Sequence, residues 1–220
     1  MNRTEITQRL GGIKLFLFDL DGTLVNTMRV WTQMTHAFLD KLGMAVTDEE
    51  IAAMDKMSFE EGSHHMRTVI GVPMTHEEFV ISWVETAQQL YAAEAFPIPG
   101  ALDVLARLKA RGARLVLFSQ SPRTLVEDVL PGMGLWDCFD GIFLSGETTA
   151  VKGSPEAVLE VVSAMGGTPA ASAVVDDSPY AAQAAQEAGV LAIGAGWLAG
   201  RRDELERCAD LVLDSIELLG

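Results

Sequence analysis

Asp19 and Asp21 follow an apolar run, Ile13 and Leu15 to Phe18, and lead straight into Gly22 and Thr23. Such a run reads as a buried strand of a parallel sheet. Side chains two apart on an extended segment point to one side, so both carboxylates are aimed at one small volume. Like charges there repel unless a cation is held between them or one takes a proton. Cation binding and proton transfer are both chemistry. Taken alone, the same five residues also describe a strand end and a turn, with Gly22 supplying a positive φ and Thr23 a local hydrogen bond. The rest of the chain weighs against that plainer reading, because it supplies partners in order. Ser119 follows the run Arg114 to Phe118, Lys152 stands just before Ser154-Pro155, and Asp176-Asp177 end the run Ser172 to Val175. A serine after a strand is unremarkable, and a lysine before a helix is usually solvated. Adjacent acids after a buried strand are costly unless they bind a cation.

The elements that must carry these residues alternate between helix and strand from Ala101 onward. Strands are predicted at 114–118, 141–144, 172–175, 190–193 and 211–213, with helices near 102–108, 122–130, 155–165, 179–188 and 203–207. Strands joined by helical crossovers imply a parallel sheet with helices on both faces. In such sheets the ligand site lies beyond the carboxyl ends of the strands, which is where the acids, Ser119 and Lys152 fall. Three junctions read Ser-Pro, at 121–122, 154–155 and 178–179, a good N-cap followed by a residue suited to the first helical position. Helices starting at strand ends turn their positive ends toward the same crevice and favour an anion.

Between Asn26 and Ala95 the texture is helical throughout. Trp31, Met34, Phe38 and Leu42 recur at helical spacing, as do Phe79, Trp83, Ala87 and Leu90. Three capping boxes, Thr47 with Glu50, Ser58 with Glu61, and Thr75 with Glu78, mark helix starts. Phe96-Pro97-Ile98-Pro99-Gly100 ends the block. The expected organisation is therefore a catalytic core of residues 1–25 and 96–220, interrupted by a four-helix subdomain at 26–95.

Composition narrows the partners. An apolar share of 49% with 21% charged residues is that of a globular chain rather than a disordered one. A net charge of −15 argues against nucleic acid and anionic membranes, both of which call for a basic face. No apolar run is long enough to cross a bilayer, and residues 1–12 lack the apolar centre of a signal peptide. Cys138 and Cys208 have no metal-ligand spacing, so a reduced, cytoplasmic protein is expected, as a monomer or homodimer.

Asp19-Leu20-Asp21-Gly22-Thr23, then Ser119, Lys152 and Asp176-Asp177 in that order, resemble the four motifs of the haloacid dehalogenase-like superfamily. The helical block resembles its type 1 cap, in the branch of the phosphoglycolate phosphatases and β-phosphoglucomutases. The resemblance implies a Rossmann-like core and a Mg²⁺-dependent hydrolase of small phosphate monoesters. It assigns Asp19 as the nucleophile that forms an aspartyl-phosphate and Asp21 as the general acid and base. Ser119 and Lys152 would bind phosphate, while Gly22 and Thr23 would shape the loop. Mg²⁺ would be held by Asp19, the Asp21 carbonyl and Asp177, with Asp176 a further candidate beside it. The chain departs from the usual pattern at Asn26, Gln120, Gly153, Asp176 and Ala181.

Other functions share these residues. A phosphosugar mutase would use the same intermediate, a phosphonate hydrolase would need a cap lysine such as Lys56 or Lys41, and a non-catalytic regulator would only bind phosphate. None of the core motifs can recognise a leaving group. Lys56 and Phe59, in the turn opening a capped helix, are therefore the candidates for substrate choice, Lys56 toward a second anion and Phe59 toward an apolar group. The plainer reading leaves Lys56 solvated and Phe59 in the cap core.

Overall fold

A computed structural model describes residues 3–54, 57, 59–198 and 202–220. Thr27–Ala95 forms one compact unit, and the flanking segments, up to Asn26 and from Phe96 onward, form another.

In chain order the strands are β1 (Leu15–Phe18), β2 (Val25–Asn26), β3 (Phe96–Pro97), β4 (Arg114–Phe118), β5 (Gly141–Phe143), β6 (Ser172–Asp176), β7 (Leu191–Ala195) and β8 (Leu211–Leu213). β2 and β3 form a short antiparallel ladder where the chain leaves and re-enters the flanking unit. The other six make one parallel sheet in the order β5-β4-β1-β6-β7-β8. The chain steps outward from β1 to β4 and β5, then returns to lay β6, β7 and β8 on the other side. The order reverses at β1, so the crevice of the sheet opens at the carboxyl ends of β1, β4 and β6.

β1 is apolar without alternation because both of its faces are covered. Leu15 and Leu17 join a cluster with Val158, Val161, Val174 and Ala185, while the rings of Phe16 and Phe18 stack at 6.0 Å. Full burial of each such side chain contributes about 1.5–3 kcal/mol.

The helices are α1 (Arg3–Leu10), α2 (Met28–Lys41), α3 (Asp48–Met54), α4 (Phe59–His65), α5 (His76–Glu94), α6 (Ala101–Ala110), α7 (Arg123–Val129), α8 (Pro155–Ala164), α9 (Pro179–Glu187) and α10 (Arg202–Cys208). The sequence pattern does not predict α1, because only two of its residues carry a helical signal. Ile6 and Leu10, one turn apart, are both buried, and Arg9 Nη1 donates to the Asp210 carbonyl at 2.9 Å. No helix among the described residues is long and apolar enough to cross a membrane.

The helical unit is held by α2 against α5. Phe38 lies 5.0 Å from Phe79 and 5.2 Å from Trp83, ring centre to ring centre, and Phe79 stacks on Trp83 at 5.5 Å. Along α5 the buried stripe passes through Ala87 to Tyr91, leaving the expected Leu90 half-buried. Capping boxes start α3 at Thr47 and α5 at Thr75. Ser58 of the third expected box lies outside the described residues. A π-helical turn, Met66–Ile70, extends α4 and closes at Gly71 with φ of 86°.

Candidate active site

The Asp19 amide donates to the Val175 carbonyl at 2.9 Å, which carries β1 pairing one step past its last residue. The chain then folds back on itself, with the amides of Leu24 and Val25 both donating to the Leu20 carbonyl at 2.9 Å. Gly22 turns this corner at φ of 79°, and a Cβ there would stand 2.3 Å from Asp177 Oδ2. Only glycine satisfies both the backbone and the approach of that carboxylate. Thr23 is wholly buried, its carbonyl accepts from Trp197 Nε1 at 3.1 Å, and its Oγ1 has no partner among the described residues.

Lys152 joins two of the acids. Its Nζ forms an ion pair with Asp19 Oδ1 and lies 2.8 Å from Asp176 Oδ2, with the three side chains 5%, 9% and 1% exposed. The contact to Asp176 is an ion pair without the direction of a hydrogen bond. Asp176 Oδ1 accepts from the Ser178 amide at 2.8 Å and from the Ser178 hydroxyl. Ser178 is thus the N-cap residue of α9 by position but gives its side chain to Asp176. The Lys152 segment is fixed by Gln120, whose Nε2 donates to the Lys152 carbonyl at 3.2 Å. Gly153 follows with φ of 106°, and a Cβ there would meet the Tyr180 ring at 2.6 Å.

The electrostatics follow from this crowding. Burial alone would depress the Lys152 amine, but the Asp176 and Asp19 carboxylates outweigh it and hold the lysine protonated, above its ordinary range. Burial pushes Asp19 well above the usual carboxylate range; Lys152 opposes that rise, and Asp176, Asp177 and Asp21 add to it. Asp19 and Asp176 thus share the Lys152 ammonium while Asp21 and Asp177 add negative charge around Asp19, and a further positive charge would relieve the excess.

Ser119 and Ser121 link the end of β4 to the other acid. Ser119 is 3% exposed, and its Oγ accepts from the Ser121 amide at 3.1 Å. Ser121 Oγ donates to Asp21 Oδ2 at 2.7 Å. Sequence pattern makes Ser121 the cap of the next helix, yet α7 begins one residue later, with Pro122 at its N-cap and no side-chain cap. Only Ser154 among the three Ser-Pro serines caps as expected, accepting from the Ala157 amide at 3.3 Å.

Asp19, Asp21, Gly22, Thr23, Ser119, Lys152, Asp176 and Asp177 therefore all lie at the carboxyl ends of β1, β4, β5 and β6 or on the loops that follow, Lys152 on the loop after β5. Oxygens of Asp19, Asp176 and Asp177 come within 4.8 Å of one another, a hard, oxygen-only set that could hold a metal ion. Ser121, Gln120 and Trp197 are partners that motif reading does not assign. Ser121 had a signal, its place two residues after Ser119 just beyond the end of β4; Trp197, 174 residues from Thr23, had none. Phe59 lies in the helical unit, half-buried, 6.4 Å from Phe79 and 6.3 Å from Trp83. Lys56 lies outside the described residues. Lys41 Nζ donates to Thr86 Oγ1 at 2.9 Å within the same unit.

A doubly wound parallel sheet with buried acids and a lysine at its switch point defines a class of α/β hydrolase. Residues 13–189 match the family model of haloacid dehalogenase-like hydrolases, and the chain belongs to that family. It is an enzyme of the family's phosphatase class. A phosphoglycolate phosphatase of Pseudomonas savastanoi pv. phaseolicola is 30% identical over 219 residues, covering 94% of this chain and 78% of its own. The "Probable phosphatase IndB" of Dickeya dadantii is 28% identical over 206 residues, covering 90% of this chain and 88% of its own. Among solved structures, CbbY from Rhodobacter sphaeroides in complex with phosphate superposes with a TM-score of 0.81 at 25% identity, over 94% of this chain and 96% of that one.

Proposed function

We propose that this chain hydrolyses small-molecule phosphate monoesters in two displacements through an aspartyl-phosphate on Asp19, with Mg²⁺ bound. The observation that carries the reading is the buried Asp19 carboxylate in contact with a protonated Lys152, with Asp21 two residues on and hydrogen-bonded at a separate oxygen donor.

A carboxylate is a weak nucleophile, but where Lys152 and a bound cation offset the effect of burial on Asp19 it needs no base to activate it, and it divides one difficult hydrolysis into two easier steps. Asp19 attacks phosphorus while Asp21 gives a proton to the departing oxygen. Asp21 then removes a proton from the water that frees Asp19. The Ser119 hydroxyl and the Lys152 ammonium steady the phosphoryl oxygens, and Lys152 offsets the charge gathered when phosphate meets the nucleophile. Burial strengthens each of these interactions, since water screens little at side chains so covered. Residues suited to hold Mg²⁺ are Asp19, Asp177 and the Asp21 carbonyl. When bound, the ion neutralises developing negative charge at phosphorus. Asp177 suits the ion better than Asp176, because the Asp176 carboxylate is engaged by Lys152 and Ser178.

Leaving-group choice falls to the helical block, with Lys56 and Phe59 its candidates. No core residue named above reads anything but phosphate, nucleophile and metal. The substrate is a small phosphorylated metabolite.

The test is turnover of p-nitrophenyl phosphate during Mg²⁺ titration and chelation, in the wild type and in Asp19→Asn. The amide cannot attack phosphorus, so kcat is expected to fall by several orders of magnitude, about what loss of a covalent nucleophile costs. Near-native turnover in Asp19→Asn, or full activity after chelation, would overturn the assignment.

A further inference from the structure

Ser121 is buried, and its Oγ donates to Asp21 Oδ2 at 2.7 Å. Three features show that this serine is held for that contact rather than for starting a helix. Its own amide donates to Ser119 Oγ at 3.1 Å. Its carbonyl accepts from the Ser145 amide at 3.4 Å. The helix that follows takes Pro122 as its N-cap, so the hydroxyl is released from capping.

The segment is fixed from the far side as well. Arg123, two residues on, forms a two-pronged ion pair with Glu147, and Glu147 Oε2 also accepts from the Leu144 amide at 3.1 Å. Ser121 is thus held between β4 and the loop after β5 with little freedom of its own. General acid catalysis demands one direction of its carboxyl, and a donor so held contributes to setting it.

We infer that Ser121 is the positioning residue of the general acid: its hydroxyl, 2.7 Å from Oδ2, holds the Asp21 carboxyl in one orientation. The inference rests on the reading of Asp21 given above. In the first displacement the Asp19 oxygen bonds to phosphorus, and the bond from phosphorus to the leaving oxygen breaks with its electron pair going to that oxygen. The Asp21 proton follows the pair, leaving Asp21 ionised and the alcohol neutral. In the second, water oxygen bonds to phosphorus, the Asp19–phosphorus bond breaks toward Asp19, and the water proton returns to Asp21. The same serine also fixes Ser119 through its amide, so the phosphate-binding hydroxyl and the acid share one anchor.

The prediction separates positioning from general support, because a misaligned acid matters only where the leaving oxygen needs a proton. p-Nitrophenolate departs readily without one, and the alkoxide of β-glycerol phosphate does not. In Ser121→Ala and Ser121→Cys, kcat/KM for β-glycerol phosphate is expected to fall about 10–100-fold, a partial loss of the roughly 10²–10⁴-fold that general acid catalysis supplies. The fall with p-nitrophenyl phosphate should be no more than about a third as large on the same logarithmic scale. Ser121→Thr, which keeps the hydroxyl, should restore the alkyl substrate. kcat/KM is the quantity to compare, since it reports only the steps through formation of the aspartyl-phosphate.

Equal losses on both substrates in Ala and Cys, or no loss on either, would overturn the role of Ser121 while leaving Asp19 and Asp21 as assigned. Failure of Ser121→Thr to restore the alkyl substrate, with its melting temperature unchanged, would do the same. A wild type that turns over neither phosphate, or an Asp19→Asn that turns over both, would instead remove the reading on which the inference rests.

Discussion

The two units of this chain use charge in opposite ways. At the strand ends, Asp19, Lys152 and Asp176 are nearly removed from solvent and hold one another through ion pairs. In the helical unit the comparable acids are exposed, and they do local work: Glu50 and Glu78 each close a capping box at the start of a helix. The interior of that unit is filled by Phe38, Phe79, Trp83 and Tyr91 instead of charge. Burying an ion pair costs desolvation that its attraction repays only with good geometry, so such a pair is weak evidence for stability. Exposed caps are the reverse, small in effect and purely stabilising. The buried charges therefore mark the part of the chain that has been shaped by chemistry, and the caps mark the part shaped by folding.

The largest test of that contrast is Lys152→Met. It removes the only ammonium paired with Asp19 and Asp176 among the described contacts and leaves both carboxylates buried. Breaking a buried pair from one side costs about 3–5 kcal/mol. A fall of that size in unfolding free energy, together with loss of phosphatase turnover, is expected. If denaturant melts place the variant within about 1 kcal/mol of the wild type, the pair does not hold the site as described.

A finer test separates the adjacent acids. Asp176→Ala takes a partner from Lys152 and the acceptor from both the Ser178 amide and its hydroxyl, so its main effect should be on stability. Asp177 is half-buried and faces Gly22 at the corner of the catalytic loop, so Asp177→Ala should chiefly weaken Mg²⁺. The expected result is a crossed pattern: a raised Mg²⁺ requirement with little change in melting for Asp177→Ala, and a lowered melting temperature for Asp176→Ala. Mg²⁺ titration of activity beside thermal melts decides it, and the reverse pattern would exchange their roles.

The same contrast explains what could be read from the residues beforehand. All six strands of the parallel sheet are legible because each is a short apolar run closed by polar or glycine residues, whereas the central position of β1 is legible only through the family resemblance. The capping boxes at Thr47 and Thr75 are legible because they are local, three residues from donor to acceptor. What escapes is whatever depends on distant parts meeting. The ladder of β2 and β3 pairs Asn26 with Phe96 across the whole helical block, and neither dipeptide carries a strand pattern. Ser121 satisfies the local rule for a cap, and a carboxylate 100 residues away takes its hydroxyl instead. Ser178 is drawn from its helix in the same way, by Asp176 two residues before it. In both cases a carboxylate, half-buried at Asp21 and buried at Asp176, accepts the hydroxyl proton, and the hydroxyl is turned toward it instead of accepting from the helix amide.

The smallest effect lies in the helical unit, at Thr75. Its Oγ1 accepts from the Glu78 amide at 3.3 Å, and its own amide donates to Glu78 Oε2 at 2.8 Å. Thr75→Ala removes the first of these and leaves the second, so the box is halved rather than abolished, and N-cap substitutions of this kind cost about 1 kcal/mol. The bonds from the Thr75 amide and then its hydroxyl hold the Glu78 carboxyl below the ordinary glutamate range. A carboxyl whose folded value is depressed contributes stability above its unfolded value and loses it as pH falls through the folded one. The wild type should therefore exceed Thr75→Ala in stability at neutral pH, with the gap narrowing as acid passes below the glutamate range. Activity toward p-nitrophenyl phosphate should not change, because no residue assigned to the reaction lies at this helix start. A gap that stayed constant from neutral to acid pH would show that the threonine hydroxyl acts on the amide alone, with no share held by the ionised glutamate.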